Sequence, residues 1–353
     1  IAGELNITTK KLNINNASRA SVNSKNAAGD LTVTADSIIL DNQAKLTSET
    51  DDGISGDIKL ENLQTLQLNR DSLISATTKD GEAGDIIIDA ASVKIETDSK
   101  IASGAVGGGI AGFIDISTDK LTISDNSQAT VSSKGRGYAC YILIEANNVN
   151  LNNQAKISAN TQLGISGDIT LKDLNSMFLG NSEISASTVD GKAGNLDINA
   201  ADSIELSGKG GLSVQAKKGG IAGSITVNTN DFFINNEAEV TVSSKLGQAG
   251  NLDIAANKLF IDQGILTAET NKGEILEGAN ITLSINDLLI ISNNSLISAE
   301  AFDTANGGNI TINNSQGFTI GLPFENSDIT ANADKGNGGD INITTQNIFG
   351  LVF

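Results

Sequence analysis

Chemistry in this sequence would have to come from short polar side chains set at a fixed spacing. One residue after a recurring glycine stands a carboxylate or a carboxamide: Asp30, Asp57, Asp85, Asp168 and Asp340 are acids, and Asn195, Asn251, Asn280 and Asn309 are amides. Carboxylates stacked at short range repel, and a bound calcium ion would relieve that repulsion. The row lacks the GGxGxD nonapeptide of calcium-binding β-rolls, and many copies are neutral, so a residue that opens a strand and bonds local backbone is the preferred reading. A second row is hydroxylic: Thr47, Ser75, Ser132, Ser158, Ser185, Ser243, Thr267, Ser298 and Thr330. A flat threonine array can order water as ice-binding faces do, but this row is mostly Ser and one residue wide, which suits a half-exposed strand position better. Cleavage of a polysaccharide would need clustered carboxylates and a base. Glu49, Asp51, Asp52, Asp80 and Glu82, with Lys79 and Arg70, are the residues on offer. They read as solvated bend charges, because no non-repeating insertion is long enough to wall a cleft. The segment 134–141 holds the single cysteine, Cys140, and both tyrosines, Tyr138 and Tyr141. It reads as a thiol attachment point or an aromatic sugar platform on one view. On the plainer view it is drift in one repeat, with Cys140 packed as a small hydrophobe. No catalytic, cofactor-binding or metal-ligating residue is assigned; calcium on the Asp row stays the one ion in view.

Composition narrows the classes further. The 353 residues include no His, no Trp, one Cys and one Pro. Without His there is no Ser-His-Asp or Cys-His catalysis and no imidazole metal ligand. One Cys gives no intrachain disulfide and no cysteine zinc site. A net charge of −19 opposes nucleic acid, whose phosphates need a basic surface, and opposes docking on anionic lipid. No run of about 18 apolar residues exists, so no membrane-spanning helix is expected. Aromatics make up 3% and aliphatics carry most of the 39% hydrophobic content, which implies a core of small aliphatic side chains.

The elements that position these rows follow from an internal repeat. Anchors fall at residues 3, 29, 56, 84, 112, 140, 167, 194, 223, 250, 279, 308 and 339, at spacings of 26 to 31, and all are Gly except Cys140 and Ala279. Two and four residues after every anchor stands an aliphatic residue, as in Leu31/Val33, Ile86/Ile88 and Ile310/Ile312, the period-two signature of a half-buried strand. A second stretch repeats pairs such as Ile38/Leu40, Val93/Ile95, Phe232/Ile234 and Phe318/Ile320. A third repeats an aliphatic, an outward and a small residue, as in Ile74-Ser75-Ala76, Val131-Ser132-Ser133 and Ile297-Ser298-Ala299. The small slot reads as Ala or Ser throughout, which predicts a corner where walls converge. Asp41-Asn42, Asn152-Asn153, Asn235-Asn236 and Asn293-Asn294 suit tight bends, because short polar side chains tolerate left-handed backbone. The bend before the anchor varies most in length, as at Val106-Gly107-Gly108-Gly109, Asn271 to Glu277 and Phe302 to Asn306.

Three strands and three bends in about 28 residues predict one coil of a parallel β-helix, whose inner face is buried only by stacking. The expected fold is all-β: a single right-handed parallel β-helix of about 12–13 three-stranded coils, forming one continuous domain over residues 1–353. With strands about 4.8 Å apart, the rod would be roughly 60 Å long. The start in mid-pattern reads as a fragment of a longer chain.

The repeated GDI and GNI steps, the Asn-rich bends and the I-S-A step resemble the filamentous haemagglutinin-like exoproteins of two-partner secretion systems, most of all the cyanobacterial type. Residues 327–333 (SDITANA), 338–343 (GGDINI) and 347–351 (NIFGL) carry the likeness best. The resemblance implies a secreted or cell-surface location in a Gram-negative bacterium and export through an outer-membrane two-partner secretion transporter. It also implies a role in adhesion, aggregation or extracellular filaments, with a surface glycan or protein receptor or further copies of the chain as partners. The expected function is therefore non-catalytic. The alternatives are a β-helix polysaccharide-active enzyme and a calcium-stabilised surface-layer module.

Overall fold

The computed structural model describes residues 2–270 and 278–351; the loop read at Asn271 to Glu277 lies outside the described residues. The fold is an all-β parallel β-solenoid with about 28 residues per turn and about 12 turns. Strands stack into two main parallel sheets, and the described residues contain no helix. The chain divides into two compact units, residues 1–174 with 183–185, and residues 175–182 with 186–353.

In the first unit, long strands such as Leu5–Asn15, Leu31–Asp41, Ile58–Asn69, Ile86–Ile95 and Ile114–Ser124 stack in one sheet. Shorter ones such as Lys45–Ile54, Leu73–Glu82, Lys100–Ala105 and Gln128–Ser133 stack in the other. The second unit repeats the plan, with Leu196–Ser207 through Ile341–Phe349 in the long-strand sheet and Gly210–Ile221 through Asp328–Thr330 opposite. Register turns the predicted slots into columns: Leu31 pairs with Ile58, Ile58 with Ile86 and Ile86 with Ile114. Each of these side chains is fully buried. A single coil could not keep its aliphatic face dry; each neighbour covers it, and the core is continuous along each unit.

The first two predicted stretches run as one long strand. Along Leu31–Asp41 the buried positions are 31, 33, 35, 38 and 40, so the alternation changes phase once, at the corner before Ile38. The left-handed pairs at the next bend lie one residue later than expected in three cases. Asn42 and Gln43, Asn153 and Gln154, and Asn236 and Glu237 have φ between 54° and 69°, whereas Asn293 and Asn294 stand as read.

Three other expectations need correction. The short-strand register pairs Ile101 with Ala129 and Ser103 with Val131, so Val131 sits in the small slot. Val214 and Val242 occupy that slot in the second unit, pairing with each other. The slot is not restricted to Ala and Ser: Leu212/Val214 and Val240/Val242 are bulky at both inward positions, whereas at Val131 bulk is exchanged with the neighbouring inward position. Ala129-Thr130-Val131 replaces Ile101-Ala102-Ser103 and keeps the local volume, a swap that cores tolerate. The same slip by two residues removes Ser132 and Ser243 from the hydroxyl column and puts Thr130 and Thr241 there. The third correction concerns Phe318/Ile320. Thr319 and Gly321 point inward instead, with Phe318 exposed, because this coil carries one extra residue between Asn313 and Phe318 relative to its neighbour.

Candidate functional site

The Asp/Asn row is a hydrogen-bond ladder between coils. The Asp57 N–H donates to Asp30 Oδ1 at 2.9 Å, Asp85 N–H to Asp57 Oδ1 at 3.0 Å and Phe113 N–H to Asp85 Oδ1 at 3.0 Å. In the second unit Ser224 N–H donates to Asn195 Oδ1, Asn251 N–H to Ser224 Oγ and Asn280 N–H to Asn251 Oδ1, all at 3.0–3.1 Å. Asn309 and Asp340 extend it through Asn280 Oδ1 and Asn309 Oδ1 at 2.8 Å. Each side chain supplies the acceptor that a backbone N–H at the bend would otherwise lack, and an unpaired buried N–H costs about 1–3 kcal/mol. Any small side chain with an accepting oxygen serves, which is why Asp, Asn and Ser interchange. Among the described residues no group of three or more His, Cys, Asp or Glu side chains is placed to hold a metal ion.

The anchor glycines beside this ladder are required by close approach. A Cβ on Gly56, Gly84 or Gly112 would lie 2.0–2.2 Å from the carbonyl oxygen of the anchor one coil before. Ser48 and Ser103 serve the same bend from inside, their Oγ donating to the Gly29 and Gly84 carbonyls at 3.0 and 2.8 Å. A second glycine column, missed at the sequence level, stands three residues earlier: Gly53, Gly81, Gly109, Gly137 and Gly164. At Gly53 and Gly81 the requirement is double, since Gly81 has φ 143° and its Cβ would meet Gly53 O at 2.1 Å. The signal was present as a glycine three residues before the anchor, but only the register makes it a column.

Asp85 provides a test of the ladder. Burial pushes its carboxyl above the usual carboxylate range, the Phe113 N–H pulls it down, and the Asp57 charge pushes it up again. A carboxylate with a raised folded pKa costs stability once ionised, so its contribution improves as pH falls through that pKa. Asp85→Asn keeps the acceptor and removes the charge. It will be more stable than the parent at neutral pH, and the difference will close as the pH is lowered. Asp85→Ala leaves the Phe113 N–H unpaired and will lose about 1–3 kcal/mol. Thermal melts of the three proteins between pH 7 and pH 4 check both signs.

Two coils break the ladder. Phe113 and Tyr141 occupy the Asp/Asn position, and their rings stack with centroids 4.8 Å apart and planes 7° apart. The stack replaces the ladder bond that neither side chain can offer. Face-to-face stacking turns the shared faces towards each other, while Tyr141 and Tyr138 stay 42% and 52% accessible. Cys140, in the anchor column beside this stack, is half-buried, and burial followed by the Asp85 charge raises its thiol pKa. Reactivity follows the thiolate, so iodoacetamide will modify folded Cys140 more slowly than the urea-unfolded chain, measured by mass spectrometry. Equal rates would contradict the placement.

Of the two bases considered for polysaccharide chemistry, Lys79 lines an open groove with Glu49 and Asp51, and Arg70 is held apart from the acids. Arg70 lies at the bend after the long strand, where Nε donates to Asp41 Oδ1 at 2.7 Å, whereas Asp52 and Asp80 pair in register at the bend before the anchor. Glu49 is held by its own face of the short-strand sheet: its carboxylate accepts from Ser75 Oγ at 2.7 Å and Asn23 Nδ2 at 3.1 Å. Lys79 and Glu82 are exposed on the same bend. The hydroxyl column is largely sunk between flanking side chains, with Thr47, Ser75, Thr130, Thr267 and Ser298 buried; a sunken column presents no flat face. No helix among the described residues is long and apolar enough to cross a membrane.

No protein-family model, curated protein or solved structure matches the chain.

Proposed function

We propose that this chain is a non-catalytic structural and adhesive segment of a large secreted or cell-surface exoprotein, exported by a Gram-negative bacterium through an outer-membrane partner. The observation that carries the reading is the use made of polar side chains at the bends. The ladder of Asp30, Asp57 and Asp85 and its counterpart from Asn195 to Asp340 bond one coil to the next. Such side chains give a stiff, regular solenoid, and a solenoid needs no disulfide because its core is continuous. The likeness of residues 327–351 to the repeat strings of filamentous haemagglutinin-like exoproteins supports the location. The acidic, Asn- and Ser-rich surface supports a chain that stays solvated beside a cell envelope.

The test is immunogold electron microscopy on intact, unpermeabilised cells of the source organism. Gold on extracellular material is the expected result. Gold that appears only after permeabilisation would overturn the exported reading. Incubation of the purified chain with polysaccharides tests the non-catalytic part, and shortened products lost on Asp52→Asn or Glu82→Gln would overturn it.

A further inference from the structure

The bends that precede the anchors form one edge of the first unit, and this edge is uneven in charge. Residues 49–56 and 77–84, each ending at its anchor, carry five carboxylates and one lysine. Residues 104–112, 132–140 and 160–167, ending at the same place, carry Lys134, Arg136 and no carboxylate, in a chain of net charge −19. The same three bends expose large apolar side chains. Val106, Ile110, Tyr138, Leu163 and Ile165 are 39–53% accessible, and contiguous exposed apolar groups mark interaction surfaces.

One column runs the length of this edge, immediately after the second glycine column. Ile54 pairs with Glu82, Glu82 with Ile110, and Tyr138 with Ile165; the Ala111 N–H bond to Tyr138 O joins the two halves. Read along the edge it is Ile, Glu, Ile, Tyr, Ile. Reversed, it places Ile54 on Ile165, Glu82 on Tyr138 and Ile110 on itself. A two-fold axis sets the positions against each other in this way, and the column then matches Ile with Ile at both ends and the centre. The charges match at one pair of bends. Turned end for end about the central bend, Lys134 and Arg136 meet the bend of Asp80 and Glu82. The Tyr138 hydroxyl, a donor, meets the Glu82 carboxylate. The central bend contains Gly107, Gly108 and Gly109, and a Cβ on Gly108 would meet nothing within 4 Å, so two backbones can approach closely there.

We propose that this edge pairs antiparallel with the same edge of a second copy, across a two-fold axis at the bend 106–110. The occupant is chosen by charge and by order. A sugar lacks the charges, an anionic membrane is repelled by the acidic bends, and a second copy sets Lys134 and Arg136 against Asp80 and Glu82 while matching the apolar positions. The paired edge spans five bends, roughly 20 Å at the strand spacing of a sheet. That is at the small end of specific interfaces, so a dissociation constant of about 1–100 µM is expected.

The pairing is a property of the purified chain, so its test is separate from the cell-surface reading. Sedimentation velocity across that concentration range should show a monomer–dimer equilibrium that weakens as salt is raised. Arg136→Glu alone and Glu82→Arg alone should each weaken it at least tenfold, and the double exchange should restore it. Gly108→Arg should remove it while leaving the circular dichroism spectrum and melting temperature unchanged, because the side chain enters open space in the monomer. A monomer at every concentration would overturn the proposal. So would an association indifferent to Gly108→Arg or to the charge exchange.

Discussion

Gly84→Ala will destabilise the solenoid out of proportion to the single methyl group it adds. The new Cβ would lie 2.0 Å from Gly56 O and 2.6 Å from Gly56 C. Both are backbone atoms in hydrogen-bonded coils, so neither can rotate aside. Overpacking of this kind costs about 1–3 kcal/mol, and more where the backbone must give way. Gly108→Ala is the matched control, since its Cβ meets nothing within 4 Å, and its effect should stay within about 0.5 kcal/mol. Denaturant titrations of the two variants against the parent measure the contrast. Equal stability of the two would mean that the coils slide freely past each other at the anchor. Cys140 and Ala279 are the two anchors that carry a Cβ. The columns stay in register at these coils, but the next glycines are squeezed hardest: a Cβ on Gly167 or Gly308 would lie 1.7 Å from Cys140 O or Ala279 O.

Phe232→Ala will cost about 3–5 kcal/mol, the range for emptying a buried aromatic site. Phe232 is fully buried and is the largest fully buried side chain among the described residues. It stands in the column between Ile204 and Leu259. Strands above and below are held in register by their own ladder, so the site cannot collapse to refill the space. Phe233→Ala, one residue on, is the internal comparison. Phe233 points outward and stacks on Phe260 with centroids 4.9 Å apart and planes 6° apart. Losing that pair should cost about 0.5–1.5 kcal/mol beyond the lost area. Because solenoid stability is a sum of coil and nearest-neighbour terms, the damage from Phe232→Ala should be local. Amide hydrogen exchange should rise first in residues 196–262 and last in the first unit. Uniform loss of protection would argue for cooperativity over the whole chain.

The period, the anchor glycines and the aliphatic columns at two and four residues beyond them were all legible in the sequence. Identical slots in stacked coils face identical neighbours, so close approach and burial demand the same residue type at every turn, and a pattern repeated that often needs no partner sequence to be seen. The Asp/Asn row was legible as local backbone bonding, but its acceptor role reaches a coil 27 to 31 residues away, and that partner appears only when register is known. Pattern failed where two readings keep the same in–out alternation. A shift of two residues at Val131 and Val242 leaves every side chain on its own face, so only strand pairing could show that Thr130 and Thr241 complete the hydroxyl column. The extra residue before Phe318 changed the face itself, and nothing local marks it. The edge that runs from Ile54 to Ile165 was scattered over more than a hundred residues of sequence. Its order, and the charge that changes along it, came into being when stacking set one bend beside the next.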